Sequence, residues 1–430
     1  MIDVSDLQIE TEIARLFDHT CNDYAAGTLR QLLSTLPADV DEIKYRQQIL
    51  KGFIAQDAIL ERLPYSHVDM REVCEFLAGL QRRADASGTD TSHRLRMRLA
   101  LTVSRAEKQR FSARINQCIG LLYRLNTYYF EPLITAHFPP AFRQLAERIS
   151  DFMKFVRPHQ YETVAREGKL NISQLVQITT TLEAAASSGI LRTFRDDLFL
   201  FEAYLSAAKG IVRSGFTFPE FAAHGITLEG FYHPLIKEPI KNDLQTKGNV
   251  VLLTGPNMAG KSTVLKAVSL CVYLAHAGFA VPAAVCKLPF FSAISISVNS
   301  GDDIKNGYSH FLTEVKTLKR AVLCAQQGLH CFAVFDELFK GTNSEDAAAI
   351  TETTITGLLK WPDSLFFIST HLHQLKSIIM QFQHRIDCYF VECSVVEQHP
   401  VFTYRLQKGW SDLKVGRLLF NSEVLDKLLS

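Results

Sequence analysis

"NVVLLTGPNMAGKSTVLKAVSLC", residues 249–271, decides how the second half of this chain is read. The short, uncharged run Val250–Leu253 has the character of a buried parallel strand. From Ser262 onward, Val264, Leu265, Val268 and Cys271 recur at helical spacing. Between strand and helix lies Gly255-Pro256-Asn257-Met258-Ala259-Gly260-Lys261-Ser262, which fits G-x-x-x-x-G-K-[ST] in the setting the motif requires. Such a loop turns back on itself so that successive N–H groups point inward at phosphate oxygens, and a Cβ at either glycine obstructs that path. A helix beginning near Lys261 adds the positive end of its dipole. Lys261 is expected to reach the β and γ phosphates and the Ser262 hydroxyl to ligate Mg²⁺. The stretch reads as a nucleotide-phosphate site.

At 430 residues the chain is long enough for two or three domains with proper cores. A formal net charge of +1 implies no bulk attraction to nucleic acid or membrane, so any such contact must be a local patch. Nine scattered cysteines without a C-x-x-C pair fit reduced thiols, and hence a cytoplasmic protein. The start "MIDVSDLQIETEIARLF" is acidic and has neither a basic leader nor a long apolar core, so no signal peptide is expected. "AVSLCVYLAHAGFAVPAAVC", 267–286, is nearly long enough to span a membrane. It follows the glycine loop directly and is broken by His276, Gly278 and Pro282, so a buried helix followed by a strand is expected.

The chain changes character near residue 213. Before it, "EIKYRQQILKGFIAQDAILERL" and "RDDLFLFEAYLSAAKGIV" show clear 3.6-residue periodicity, and helix follows helix. After "SGFTFPEF", the strands "NVVLLT", "FSAISISV", "CFAVF", "LFFIST" and "CYFVECSVVE" alternate with helices, the pattern of a doubly wound α/β sheet. The expected architecture is a helical amino-terminal domain, 1–213, joined to an α/β nucleotide-binding domain, 214–430.

Cys331-Phe-Ala-Val-Phe335 is an apolar strand ending in two adjacent carboxylates, Asp336 and Glu337. At the carboxyl end of a strand the chain turns, so both can approach the glycine loop. Asp336 is expected to hold the Mg²⁺ shell and Glu337 to orient or deprotonate the attacking water. The next strand, "SLFFIST", ends at Thr370-His371, where ligands bind in such folds. His371 is placed to hydrogen-bond the γ-phosphate or its water. His373 lies two residues on, but two imidazoles without further clustered ligands do not make a zinc site.

"TGPNMAGKST", "DELFKGTNSEDA" and "ISTHLHQL", in this order and spacing, resemble the ATPase domain of the MutS family of DNA mismatch repair, within the ABC-type ATPases. "SVNSGDDIKNGYSHFLTEVKTLKRAV", "LEGFYHPLI" and "KGWSDLKVGRLLF" resemble further segments of that domain. "GTLRQLLSTLPADVDEIKYRQQIL" resembles the start of the family's helical core. The likeness is strong over 225–420 and weak over roughly 55–200. It implies a helical core or lever-like domain and a P-loop (ABC-type) ATPase domain using ATP and Mg²⁺. Gly255, Pro256, Asn257, Met258, Ala259, Gly260, Lys261, Ser262 and Thr263 would cradle the phosphates, with Asn257 near the γ-phosphate. Ser262 and Asp336 would serve the metal, Glu337 catalysis, and His371 would be the switch histidine. Ser309 falls at the signature serine, which in this family reaches the γ-phosphate held by a partner subunit, so a homodimer through the ATPase domain with composite sites is implied.

The chain resembles a short form of the family, without the mismatch-recognition and connector domains. Phe339-Lys340-Gly341-Thr342 stands where relatives have Gly-Arg-Gly-Thr, and His310 replaces a threonine. The aromatic that family members stack on adenine has no clear counterpart before Asn242, where only Pro239 and Ile240 offer apolar contact. The run 93–114 carries Arg94, Arg96, Arg98, Arg105, Lys108, Arg110 and Arg114 against Glu107 alone. Arg94, Arg98 and Arg105 would fall on one helical face, either tracking phosphates or forming a solvated surface beside Leu95, Met97, Leu99 and Leu101. Two readings stand: an ATP-hydrolysing, DNA-binding protein linked to mismatch repair or the damage response, or an ATP-driven regulatory or assembly subunit acting on a protein or ribonucleoprotein. Neither involves a membrane.

Overall fold

The computed structural model describes residues 2–56, 59–60, 65–87, 91–134, 138–298, 310–339, 342–396 and 399–413. The chain divides into two compact units. One comprises Met1–Arg15, Leu33–Lys44 and Ser214–Ser430, the other Leu16–Leu32 and Tyr45–Arg213. The segments 1–15 and 33–44 group with the α/β unit. The physical reason for the first is a strand: Ile2–Asp3 pairs in parallel with Ala293–Ser297.

The helical unit is organised around the helix Ile190–Ser214. Sixteen of its residues are buried, from Leu191 to Ile211, so it is covered on nearly every side. Phe201 on this helix meets Phe53 and Phe130 at ring distances of 5.4 and 5.1 Å. Phe138 and Phe142 extend the aromatic cluster beyond Phe53. The helix also carries buried polar groups, each with partners. Ser206 Oγ donates to the Phe17 carbonyl at 2.7 Å and accepts the His19 N–H at 2.6 Å. Glu202 accepts from the Cys21 N–H and, at 2.7 Å, from the Asn22 side-chain amide. Gly210 lets the backbones touch, since a Cβ there would lie 2.5 Å from the Leu16 carbonyl oxygen. The segment after Phe17 is thus laid against this helix by polar contacts as well as apolar ones.

The basic run does not form one helix. Thr91–Val103 and Arg105–Leu125 are separate helices, and Ser104 caps the second by accepting the Glu107 N–H at 3.2 Å. Arg94 and Arg98 therefore do not continue in register to Arg105, and the Arg94 side chain lies outside the described residues. Leu101 is buried, whereas Leu95, Leu99 and Val103 are exposed on the first helix.

The α/β unit contains eleven described strands: β1 (Ile2–Asp3), β2 (Glu220–Phe221), β3 (Thr227–Phe231), β4 (Asn242–Gln245), β5 (Val250–Thr254), β6 (Val285–Leu288), β7 (Ala293–Ser297), β8 (Cys331–Phe335), β9 (Leu365–Ser369), β10 (Ile386–Val396) and β11 (His399–Lys408). Seven form a sheet in the order β1-β7-β8-β9-β5-β10-β11, parallel from β1 to β10, with antiparallel β11 at its edge. The other four form a second sheet, β2-β6-β3-β4. β5, β8 and β9 are buried at every position, as their unbroken apolar sequences require. The five strands expected after residue 213 all appear. The apolar stretch 267–286 is a buried helix, Lys261–His276, running towards β6. Among the described residues, no helix is long and apolar enough to cross a membrane.

Candidate functional site

β5 and β9 are neighbours, as are β9 and β8, so their carboxyl ends bring three loops together. After β5 comes the glycine loop. Gly255 has φ +129°, and a Cβ there would sit 3.1 Å from the Val391 carbonyl oxygen, so both conformation and space call for glycine. Gly260, φ +101°, caps the helix Lys261–His276, which presents its amino end to the loop. Lys261 is 5% exposed, yet its ammonium is satisfied within the loop. It donates to the carbonyls of Gly255 (3.0 Å) and Pro256 (3.2 Å) and to Asn257 Oδ1 (3.2 Å). It also lies 3.5 Å from Glu337 Oε1.

β8 stops at Phe335, and the next two residues leave the strand. Asp336 receives Ser262 Oγ on Oδ2 at 2.5 Å and Ser369 Oγ on Oδ1. Glu337 takes a left-handed backbone, φ +52°, and its N–H donates to Ser369 Oγ at 2.9 Å. This turn is what lets two consecutive carboxylates serve one site. Ser369, the last residue of β9, links them, and sequence reading passed over it because a buried serine in "FFIST" has no motif of its own. His371 is half-exposed, with Nδ1 3.9 Å from Glu337 Oε1. The structure thus brings together Lys261, Ser262, Asp336, Glu337 and His371. Met258 and Thr263 lie exposed on the loop and first helical turn, and Ala259 is buried beneath it. Ser309 lies outside the described residues.

Six described non-glycine residues have left-handed backbone, and four of them, Met258, Glu337, Phe339 and Tyr404, border this region. Strained backbone concentrates where a site demands it. Phe339, φ +66°, is held by Glu314, which is 3% exposed and accepts its N–H at 2.8 Å.

Tyr404, on β11, lies over the glycine loop; a Cβ on Gly260 would approach its Cδ1 to 3.2 Å. Beside it opens a cavity of about 220 Å³, lined by Tyr232, His233, Pro239, Ile240, Thr263 and Tyr404 among others. Pro239 and Ile240, the apolar residues noted in the sequence, line it, and Tyr404 brings an aromatic ring to it from β11. Burial, then the Lys266 charge, holds His233 below the ordinary imidazole value, so this part of the wall favours the neutral ring.

The fold and this centre define an α/β domain with a mixed sheet in which a buried lysine on a glycine loop faces a carboxylate pair. Comparison shows what this part of the chain is similar to. Residues 251–420 match the family model of MutS domain V. It is 26% identical over 313 residues to the DNA mismatch repair protein MutS of Shouchella clausii, covering 68% of this chain and 35% of that one. Against the MutS proteins of Streptococcus uberis and Thermus aquaticus the identity is 30% over 210 residues and 32% over 180. Those matches cover 46% and 41% of this chain and 24% and 22% of the relatives. The chain therefore matches about a third of the relative's length or less.

Proposed function

We propose that this protein binds ATP at the glycine loop, hydrolyses it with Mg²⁺, and couples that cycle to DNA as part of mismatch repair or the damage response. The observation that carries the proposal is the convergence of Lys261, Ser262, Asp336 and Glu337 at the ends of β5 and β8. The triphosphate would replace the loop carbonyls around the Lys261 ammonium. Its base would enter the cavity beside Gly260, against Tyr404. Ser262 Oγ and Asp336 present two hard oxygens at one point, the donor type Mg²⁺ prefers. Held there, Mg²⁺ would supply positive charge that offsets the negative charge developing on the phosphate. Glu337 would then orient the attacking water and take its proton, and His371, 3.9 Å from Glu337, would donate to the γ-phosphate.

Support for the DNA role is the family likeness and the name of the relatives. By the same likeness Ser309 would act across a homodimer, completing the partner's site. A second reading, an ATP-driven subunit acting on a protein or ribonucleoprotein, rests on exposed Leu95, Leu99 and Val103, which suit a protein surface better than phosphates. Nucleotide binding and turnover, followed by gel shifts with mismatched DNA, single-stranded DNA and RNA at stated salt, test the proposal. Absence of ATP binding would remove it, and a shift with RNA alone would favour the second reading. Sedimentation with and without ATP tests the dimer, since a ligand that favours the dimer must shift that equilibrium.

A further inference from the structure

The amino ends of the same strands enclose a second cavity, at the edge of the sheet opposite the glycine loop. Its volume is about 230 Å³. Six loops reach it, those leading into β3, β5, β7, β8, β9 and β10. They bring His224, Lys247, His330, His384 and Arg385 to its mouth, with Asp363 the one acidic residue among the described lining. All six of these side chains belong to exposed residues. Five cationic or imidazole groups spread over 224–385 in sequence thus meet at one concavity.

The mouth is held in place from below. Asp387 accepts the N–H groups of Lys247 and Gly248 at 2.6 and 2.7 Å. Gly248 packs directly on the next loop, since a Cβ there would lie 2.1 Å from the Arg385 carbonyl oxygen. The Arg385 guanidinium is anchored on the Leu359 carbonyl through Nη2, which leaves further N–H donors on its fork. Asn249 spends its side-chain amide on the carbonyls of Leu358 and Trp361, both at 3.0 Å. Ser292 Oγ accepts the His330 N–H at 3.1 Å. These bonds fix the backbone beneath a lining that includes the exposed residues Lys247, His330 and Arg385.

We propose that this cavity binds a phosphate-bearing ligand separate from any nucleotide at the glycine loop. Guanidinium, ammonium and imidazole donors around one concavity are the chemistry that recognises phosphate oxygens. The histidines do not make a metal site, because the described residues hold no group of three or more metal-ligating side chains. The volume is below that of drug-sized pockets, so the bound group is compact, such as pyrophosphate or a terminal phosphate. Five-residue strands, about 17 Å long, separate the two sites. Because β5, β8 and β9 each end at the glycine-loop centre, a ligand here would hold the amino ends of the strands that carry it.

Calorimetric titration of Lys261→Ala protein with pyrophosphate tests the proposal, because that substitution weakens competing binding at the glycine loop. Saturable binding is expected, and adding Lys247→Glu with His330→Glu should weaken it at least ~tenfold, as expected for losing charge-assisted bonds. Lys247→Gln, which keeps the side chain's bulk without its charge, serves if charge reversal unfolds the protein. Competition by a short 5′-phosphorylated oligothymidylate, but not by its unphosphorylated form, would identify the source as a nucleic-acid end. Competition by both would indicate backbone phosphate, and by neither a free small anion. No binding in Lys261→Ala protein, or binding unchanged by the substitutions at the mouth, overturns the proposal. The titration reads this cavity whether or not the glycine loop takes ATP.

Discussion

Glu314 accepts the backbone N–H of Phe339 at 2.8 Å, and this one bond ties the helix His310–Gln326 to the turn that follows the carboxylate pair. Phe339 has φ +66°, a backbone conformation that ordinarily favours glycine. Phenylalanine is accommodated there because its ring is buried, 5.8 Å from that of Phe311. Glu314→Ala leaves the N–H without this acceptor at a cost of about 1–3 kcal/mol. Glu314→Gln keeps a carbonyl oxygen and should cost less. Urea unfolding measures the loss, and steady-state kinetics should show turnover falling more than ATP affinity.

Lys261→Ala should nearly abolish ATP hydrolysis, since it removes the ammonium facing the phosphates. Wild-type turnover at saturating Mg²⁺ and ATP would defeat the assignment.

Glu337→Gln separates two roles. Asp336, not Glu337, receives the Ser262 hydroxyl, so the variant should bind ATP and fail to cleave it. Filter binding with labelled ATP decides the matter; loss of binding together with turnover means the roles are not divided in this way.

Tyr404→Ala should raise the KM for ATP about tenfold or more, as loss of a base-stacking ring does. The turnover number should change less, and affinity for inorganic tripolyphosphate should not change. A variant whose affinities for ATP and tripolyphosphate fall in parallel would show that Tyr404 supports the loop and not the base.

Two buried groups give the units opposite responses to pH. In the α/β unit, burial lowers His276 to about 4 although Nδ1–H donates to the Val272 carbonyl at 2.7 Å. The unfolded chain protonates this imidazole near 6.5 and the native one does not, so stability is lost as pH falls from about 6.5 to 4. In the helical unit, burial raises Glu202 to about 7 against the pull of the Cys21 N–H, the Tyr65 hydroxyl, Lys209 and Asn22. The unfolded carboxyl ionises near 4.5, so this contribution is lost as pH rises from there to about 7. Urea midpoints from about pH 4 to 8 should show both limbs, with His276→Gln removing the acid one and Glu202→Gln the other. A Glu202→Gln protein that keeps the alkaline limb assigns it to another group.

Strands β5, β8 and β9 were legible because each is a five-residue apolar run ending in a motif. The carboxylate pair was legible for the same reason. Tyr404 was not: an antiparallel hairpin returns it to a loop far earlier in sequence, and no local pattern encodes that return. β1 has two residues and no alternation to read. The break in the basic run did have a signal, since Ser104-Arg-Ala-Glu107 matches the S-x-x-E of a helix start, but helical spacing of the arginines pulled the reading across it. Ser369 and Glu314 act through hydrogen bonds that only the fold creates.

Pairing of Ile2 with Ile294 also sets an order of events during synthesis. β1 leaves the ribosome before the helical unit, and its partner emerges only after the whole of that unit. At about 5–20 residues per second the first strand waits some tens of seconds for β7. The helical unit, Leu16–Leu32 with Tyr45–Arg213, can close in that interval. Shortening the wait by transplanting residues 1–15 to a position next to β7 in sequence should therefore speed formation of the sheet more than it changes the stability of the finished protein.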